Sequence, residues 1–293
     1  MIVLSGKEVA NSKLEDLKIK NQEFINKYGR KPTLVVILVG EDPASQTYVA
    51  SKKKACEKIG YAHRDYLLKT ETTQEELNSL VDELNADETV DGILVQMPLP
   101  KHLDEQEVIE RIRSDKDVDG FHPENVGKLL IGLDCFVSCT PKGVMAILDY
   151  YNIETKSKNV VILGRSNIVG KPMASLLIQK GRDATVTIAH SRTKNLKELT
   201  KSADILIAAI GKPLFVTEDM VKEDCVVIDV GINRIEDSSR KRGYRVVGDV
   251  DYENVSKKVS AITPVPGGVG LMTIAMLMEN TFESAIKRAE KEN

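Results

Sequence analysis

Apolar positions along the chain change period repeatedly, and those changes outline its elements. Val9, Leu14, Leu17, Phe24, Ile25 and Tyr28 suit a helix that Gly29 and Pro32 stop. Residues 34–39 form an unbroken β-branched and leucine run ended by Gly40, the pattern of a strand buried on both faces. Residues 45–59 read as a helix closed by Gly60, and 62–68 as a second strand. Thr73 and Glu76 have capping-box spacing ahead of a helix carrying Leu77, Leu80, Val81 and Leu84. Residues 92–96 give a third strand and 105–113 another helix. Strand and helix alternate, which predicts a parallel sheet with right-handed connections.

A turn-rich stretch at 115–123 interrupts this rhythm. Thr140 as cap and Pro141 at the first helical position then open a new helix. Strands follow at 159–163, 185–189, 204–210 and 226–230, with helical segments between most of them. An amphipathic helix at 271–289 follows a proline- and glycine-rich loop. The fold class is therefore α/β in two domains, 1–140 and 141–270. The terminal segment 271–293 is expected to return to the first domain and complete it.

Composition narrows the class. At 42% hydrophobic and 29% charged, 293 residues can build real cores, and a net charge of −3 offers no basic stripe for nucleic acid. The longest apolar runs are too short to cross a bilayer, and the first residues lack the features of a signal peptide, so a cytoplasmic location is expected. Four scattered cysteines (Cys56, Cys135, Cys139, Cys225) do not suggest a disulfide framework. Cys135 and Cys139 lack a second pair, so no metal is expected.

Residues 160–172 read as a strand, a tight polar turn and a helix start: Gly164, Arg165, Ser166, then Gly170 and Pro172. Such a turn can point backbone N–H groups at a phosphate, helped by the helix dipole. Ser166 stands where the second glycine of the usual dinucleotide motif would be, so an ordinary strand-to-helix turn competes with this reading. The next strand ends at Ala189, His190, Ser191 and Arg192, without the acid that binds a ribose 2′-hydroxyl. A hydroxyl and two cations, Arg165 and Arg192, suit a 2′-phosphate, which favours NADP over NAD; spacing does not separate the two arginines. The second domain is accordingly expected to be Rossmann-like.

In the 45–59 helix, Tyr48, Lys52, Cys56 and Ile59 share a face, while Lys53 and Lys54 point outward. Lys52 either snorkels to solvent or lines a cleft, where desolvation favours the neutral amine needed for proton transfer. Gln96 ends the third strand, the edge at which such sheets place ligands. Asp119 lies in an Asp-Gly turn, where an aspartate is either structural or a ligand contact.

Several segments together resemble one family, the bifunctional methylenetetrahydrofolate dehydrogenase/cyclohydrolases. They are residues 39–52 (VGEDPASQTYVASK), 92–100 (GILVQMPLP), 116–127 (KDVDGFHPENVG) and 139–143 (CTPKG). In the second domain they are 164–172 (GRSNIVGKP), His190 with Ser191, 227–233 (VIDVGIN) and 263–270 (TPVPGGVG). They occur in family order through nearly the whole chain. The resemblance implies a homodimer with a folate cleft between a catalytic, folate-binding domain and an NADP-binding domain. It implies that Tyr48 packs on the aminobenzoyl ring, Lys52 drives the cyclohydrolase step, Gln96 adjusts the protonation of Lys52, and Asp119 grips the pterin. Val95, Met97 and the loop of Pro266, Gly267, Gly268, Val269 and Gly270 would also meet substrate. Gly164, Arg165, Ser166, Ser191, Arg192 and Ile232 would meet NADP, with no metal.

One departure stands out. The family usually has proline after the second-domain Gly-Gly-Val-Gly, and this chain has Leu271, expected to leave that loop freer. Alternatives are a monofunctional methylenetetrahydrofolate dehydrogenase and another two-domain NADP-dependent dehydrogenase. The first does not need both Lys52 and Gln96; the second leaves Tyr48 and the Gln96–Pro100 segment unexplained.

Overall fold

The computed structural model describes residues 1–240 and 243–291. Contacts divide the chain into two compact units, Met1–Ala10 with Thr140–Thr273, and Asn11–Cys139 with Ile274–Asn293. This differs from the division drawn on the sequence in its first ten residues. Strand β1 (Ile2–Val3) pairs in parallel with Ala261–Ile262, and Leu4 beside it is fully buried. A two-residue strand has too few positions to show a period, so pattern alone could not place it.

In the unit built on Asn11–Cys139, helix α1 (Gly6–Tyr28) leads into β2 (Thr33–Val39), then α2 (Pro43–Ile59) and β3 (Ala62–Leu68). Helix α3 (Gln74–Ala86), β4 (Gly92–Val95) and α4 (Glu105–Arg111) follow. The strands form a parallel sheet in the order β3-β2-β4. All seven residues of β2 are buried, as its unbroken apolar run requires. Thr73 and Glu76 form the reciprocal capping box, with Thr73 N donating to Glu76 at 2.8 Å and Glu76 N to Thr73 Oγ1 at 3.2 Å. Helix α2 starts two residues earlier than apolar spacing indicated. Asp42 accepts from Ser45 N at 2.7 Å and Pro43 takes the first position; Gly60, at φ +82°, ends the helix.

Helix α5 (Pro123–Ile131) occupies a stretch that pattern had left without an element. His122 caps it by accepting from Glu124 N, and Gly132 ends it. Val126, Leu130 and Ile131 are exposed, so this short helix has only a narrow buried stripe to reveal it.

The other unit comprises α6 (Cys139–Tyr150), β5 (Asn159–Leu163), α7 (Gly170–Leu177), β6 (Thr185–Ala189), α8 (Leu196–Lys201) and β7 (Ile205–Ala208). It continues with β8 (Val226–Asp229), β9 (Asn233–Glu236), β10 (Tyr244–Val247), α9 (Tyr252–Val255) and β11 (Ala261–Ile262). Six strands pair in parallel in the order β1-β11-β8-β7-β5-β6, and β9 with β10 forms a separate antiparallel hairpin absent from the sequence expectation. Strands β6 and β7 flank β5 on opposite sides. That reversal makes the crevice where doubly wound sheets bind ligands.

Helix α10 (Met272–Lys291) belongs from Ile274 onward to the unit of the three-stranded sheet. Asn280, Ser284 and Arg288 fall on one stripe and are buried. Asn280 Nδ2 donates to Val118 O at 2.8 Å and Val137 O at 2.9 Å, Ser284 Oγ reaches Asp91 O at 2.6 Å, and Arg288 pairs with Glu88. Asn280, Ser284 and Arg288 thus each bond to the sheet unit, which fixes the helix in register as well as in place. Residues 292–293, within the segment expected to return, lie outside the described residues.

Candidate active site

In the unit of the three-stranded sheet, α2 turns Ser45, Val49, Cys56 and Ile59 into the core and leaves Lys53 and Lys54 exposed. Lys52 sits half-buried on the inner side, one turn after Tyr48, whose side chain is 47% exposed and free to offer a ring face. Lys52 Nζ donates to Gln96 Oε1 at 2.6 Å. Gln96 is held at the carboxyl end of β4: its N–H donates to Ile37 O at 2.8 Å and its Nε2 to Met97 O at 2.9 Å. The amide is thereby oriented with its oxygen toward the lysine. Val95 is buried beneath it, and Met97 packs on the same hydrophobic core.

Two aspartates share the next turn and differ in task. Asp117 is buried and accepts from Gly120 N, His122 N and Asn125 Nδ2 at 3.1, 2.8 and 2.9 Å. It performs the structural work that the Asp-Gly turn suggested for Asp119. Gly120 is required there, since an added Cβ would lie 2.6 Å from Ser138 N and its φ is +72°. Asp119 instead accepts a hydrogen bond from the Cys139 thiol and lies within the field of Lys52. Burial raises its carboxyl to about 6 against the opposing pull of Lys52, and the neighbouring Asp117 adds to the rise. Burial lowers Lys52, while Asp119 and Cys139 oppose that shift. An amine and a carboxylic acid are thus each moved toward neutral pH, as proton transfer requires.

The second unit holds a cavity of about 410 Å³ at the carboxyl ends of β5, β6 and β7, the reversal point of its sheet. Gly164, Arg165, Ser166, His190, Ser191 and Lys212 supply its polar wall; Leu163, Ala189, Leu196, Ala209, Ile210 and Phe215 supply the apolar one. That lining contains no carboxylate, and Arg165 and Lys212 are cations, so it fits a dinucleotide carrying an extra phosphate. Gly164 has φ +123°, and a Cβ there would lie 2.2 Å from Ala209 O. Gly170 is pressed equally closely on Gly164 O. Both glycines serve close backbone approach.

The helix dipole has a smaller part than the turn suggested. Val169 N and Gly170 N donate to Ser166 Oγ at 3.1 and 3.4 Å, and Lys171 N donates to Ser166 O at 3.1 Å. Pro172 has no N–H and Met173 N bonds Val169 O, so the first turn of α7 is satisfied internally. Ser166, standing in place of a glycine, is what occupies those donors. Arg192 and Ile232 lie outside the cavity lining, both exposed, whereas His190 and Lys212 belong to it. Lys212 was missed although it follows β7 directly; extending the strand-end rule to every strand would have found it.

The loop of Pro266 to Gly270 is anchored within its own unit. Lys7 N donates to Gly267 O at 3.1 Å, and added Cβ atoms on Gly268 and Gly270 would meet Pro264 O at 2.4 Å and Ile232 Cδ1 at 2.8 Å. Leu271 N donates to Gly268 O at 3.2 Å, a bond that proline could not make. Relative to proline, leucine thus gives up ring rigidity and gains a hydrogen bond. Among the described residues, no group of three or more His, Cys, Asp or Glu is placed to hold a metal, and no helix is long and apolar enough to cross a membrane.

Comparison with known proteins agrees with this division of labour. Residues 4–119 match the family model for the tetrahydrofolate dehydrogenase/cyclohydrolase catalytic domain, and residues 138–289 match its NAD(P)-binding domain. The bifunctional protein FolD of Chlorobium phaeobacteroides (strain BS1) is 56% identical, with 98% of each chain covered. The solved bifunctional FolD of Campylobacter jejuni is 52% identical, with TM-score 0.93 and 98% and 99% of the two chains covered. The Trypanosoma brucei methylenetetrahydrofolate dehydrogenase-cyclohydrolase, solved with NADP cofactor and an inhibitor, is 38% identical with TM-score 0.93 and 98% of each chain covered. The chain therefore belongs to the tetrahydrofolate dehydrogenase/cyclohydrolase family and carries both of its domains.

Proposed function

We propose that this protein is the bifunctional enzyme of folate one-carbon metabolism. It oxidises 5,10-methylenetetrahydrofolate to the 5,10-methenyl form with NADP and hydrolyses that product to 10-formyltetrahydrofolate. The observation that carries the reading is the meeting of Lys52, Gln96 and Asp119 from three separate segments, with the Lys52–Gln96 hydrogen bond at 2.6 Å.

NADP, when bound, supplies the hydride acceptor for the methylene carbon; Arg165, Ser166, Ser191 and Lys212 are the residues that would hold its polar groups. For that step the protein chiefly positions: Tyr48 offers a ring face to the aminobenzoyl group and ionised Asp119 accepts paired hydrogen bonds from the pterin. Val95, Gln96 and Met97 border the same site; a folate contact by the Pro266 to Gly270 loop and a cofactor contact by Ile232 rest on the family resemblance alone. The methenyl product is a cation, so water adds to its bridging carbon. Neutral Lys52, oriented by Gln96, takes the proton released from that water and returns it to N5 as the C–N5 bond breaks; the carbinol hydroxyl gives up its own proton to solvent as the formyl C=O forms on N10, so one proton is released overall. Desolvation favours the unprotonated amine, and Asp119 stabilises the ammonium that forms.

A homodimer as the working form and the cytoplasm as its location both rest on the family resemblance. Following methenyl hydrolysis and NADP reduction separately in Lys52→Met tests the central role. Hydrolysis should fall by about 10²–10⁴-fold with part of hydride transfer retained. Undiminished hydrolysis would overturn the assignment.

A further inference from the structure

Two fully enclosed carboxylates in the six-stranded unit have no part in the chemistry above. Asp229 ends β8 and Asp249 follows β10; they are 3% and 0% exposed. Asp249 Oδ2 accepts from the consecutive backbone N–H groups of Ile210 and Gly211, at 2.7 and 2.9 Å. Its Oδ1 accepts from Asn233 Nδ2 at 2.9 Å. Asp229 Oδ1 accepts from Gly231 N and Asp249 N, both at 2.9 Å, and its Oδ2 from Val250 N at 2.9 Å. The pair therefore fastens three loops together at one end of the sheet.

Those loops matter because of what they carry. Ile210 lines the cofactor cavity next to Ala209, whose carbonyl is the surface that Gly164 of the phosphate turn rests on. Ile232 is bracketed by Gly231, held by Asp229, and Asn233, held by Asp249. Packing there leaves no slack: a Cβ on Gly231 would lie 2.3 Å from Asp249 Oδ1. Burying two acids side by side costs free energy, and burial raises Asp229 to about 7 even though three N–H groups pull the other way. An apolar pair would not carry that cost, yet it could not bind six donors from three chain segments.

We infer that Asp249, braced by Asp229, is a positioning residue for NADP: it sets the cavity wall after β7 and the Ile232 loop after β8 without touching the cofactor. This rests on the cofactor reading above. The bifunctional enzyme supplies its own control, because methenyl hydrolysis consumes no NADP.

The experiment measures NADPH affinity of the full-length protein by fluorescence titration, alongside both activities, in Asp249→Ala, Asp249→Asn and Asn233→Ala. In Asp249→Ala the dissociation constant should rise at least about tenfold and the KM for NADP with it, while kcat/KM for methenyl hydrolysis stays within about twofold. Asp249→Asn should recover most of the affinity, since its carboxamide oxygen can still receive Ile210 and Gly211 while the Asn233 amide turns to accept. Asn233→Ala, which removes one contact, should weaken NADPH by about threefold and decides the matter if Asp249→Ala fails to fold. Unchanged NADPH affinity, or equal loss of affinity and hydrolysis in all variants, would overturn the inference. Wild-type turnover of the two folate substrates tests the function separately, so failure of either idea can be told from failure of the other.

Discussion

The three-stranded sheet has a lysine of lowered pKa at each end, and the two could hardly be more different in use. Lys116, beside the amino end of β4, is fully buried, and its Nζ donates to Leu84 O, Asn85 O and Asp87 O at 2.9, 2.9 and 2.7 Å. Those are carbonyls at the end of α3, so the ammonium caps the helix where its dipole is negative. Burial, then repulsion from Arg288 and Arg113, lowers it to about 8. Lys52, at the carboxyl end, is half-buried, donates to the Gln96 amide, and faces the carboxyl of Asp119. Burial and a shifted pKa therefore do not by themselves mark a reactive lysine. Hydrogen-bonding capacity left over for a ligand does, and the same contrast separates Asp119 from Asp117 two residues away.

Exchanging each lysine for methionine breaks the comparison most sharply. Lys52→Met should lose hydrolysis by orders of magnitude at a nearly unchanged melting temperature. Lys116→Met should do the reverse, losing about 2–4 kcal/mol of stability because three carbonyls lose their donor, with kcat of the folded enzyme intact. A Lys116→Met protein of normal melting temperature and low kcat would dissolve the distinction. Next in size, Gln96→Ala should slow hydrolysis about tenfold by releasing the lysine from its orientation, and should shift the pH profile of that step. A profile unmoved in the variant would mean that the 2.6 Å bond has no influence on Lys52.

A subtler effect concerns Asp119. Its carboxyl, raised to about 6 from 3.8, is ionised and able to accept hydrogen bonds at both oxygens only above that range. Folate KM should therefore rise as pH falls through about 6, and Asp119→Asn should remove that dependence. Linkage runs the other way for folding. A raised acid binds its proton more tightly in the native state, so its contribution to stability declines as pH climbs from about 4 to 6. The smallest expected change is Leu271→Pro. It exchanges the Leu271–Gly268 hydrogen bond for a fixed backbone angle, two terms each of about 1 kcal/mol or less, so folate KM should shift no more than severalfold. A large loss of either activity would show that the leucine side chain itself contacts substrate.

What the sequence determined by itself is what local chemistry and period can carry. The apolar run of β2, the capping box at Thr73, the strand–turn–helix at Gly164 and the helical face that separates Lys52 from Lys53 and Lys54 all follow from neighbours a few residues apart. Family-ordered motifs extended that to the chemistry. Only the tertiary structure decided which of two aspartates in one turn is taken up by its surroundings, because His122 N and Asn125 Nδ2 donate to Asp117 while Asp119 receives the Cys139 thiol. It also revealed a first strand in the six-stranded sheet, gave Ser166 the donors of its helix, set Lys212 rather than Arg192 in the cavity wall, and joined Asp249 to Ile210 across 39 residues. The physical reason is common to all of these. Whether a polar group is reactive or structural depends on how many of its hydrogen bonds are already occupied, and the partners that occupy them come from distant parts of the chain.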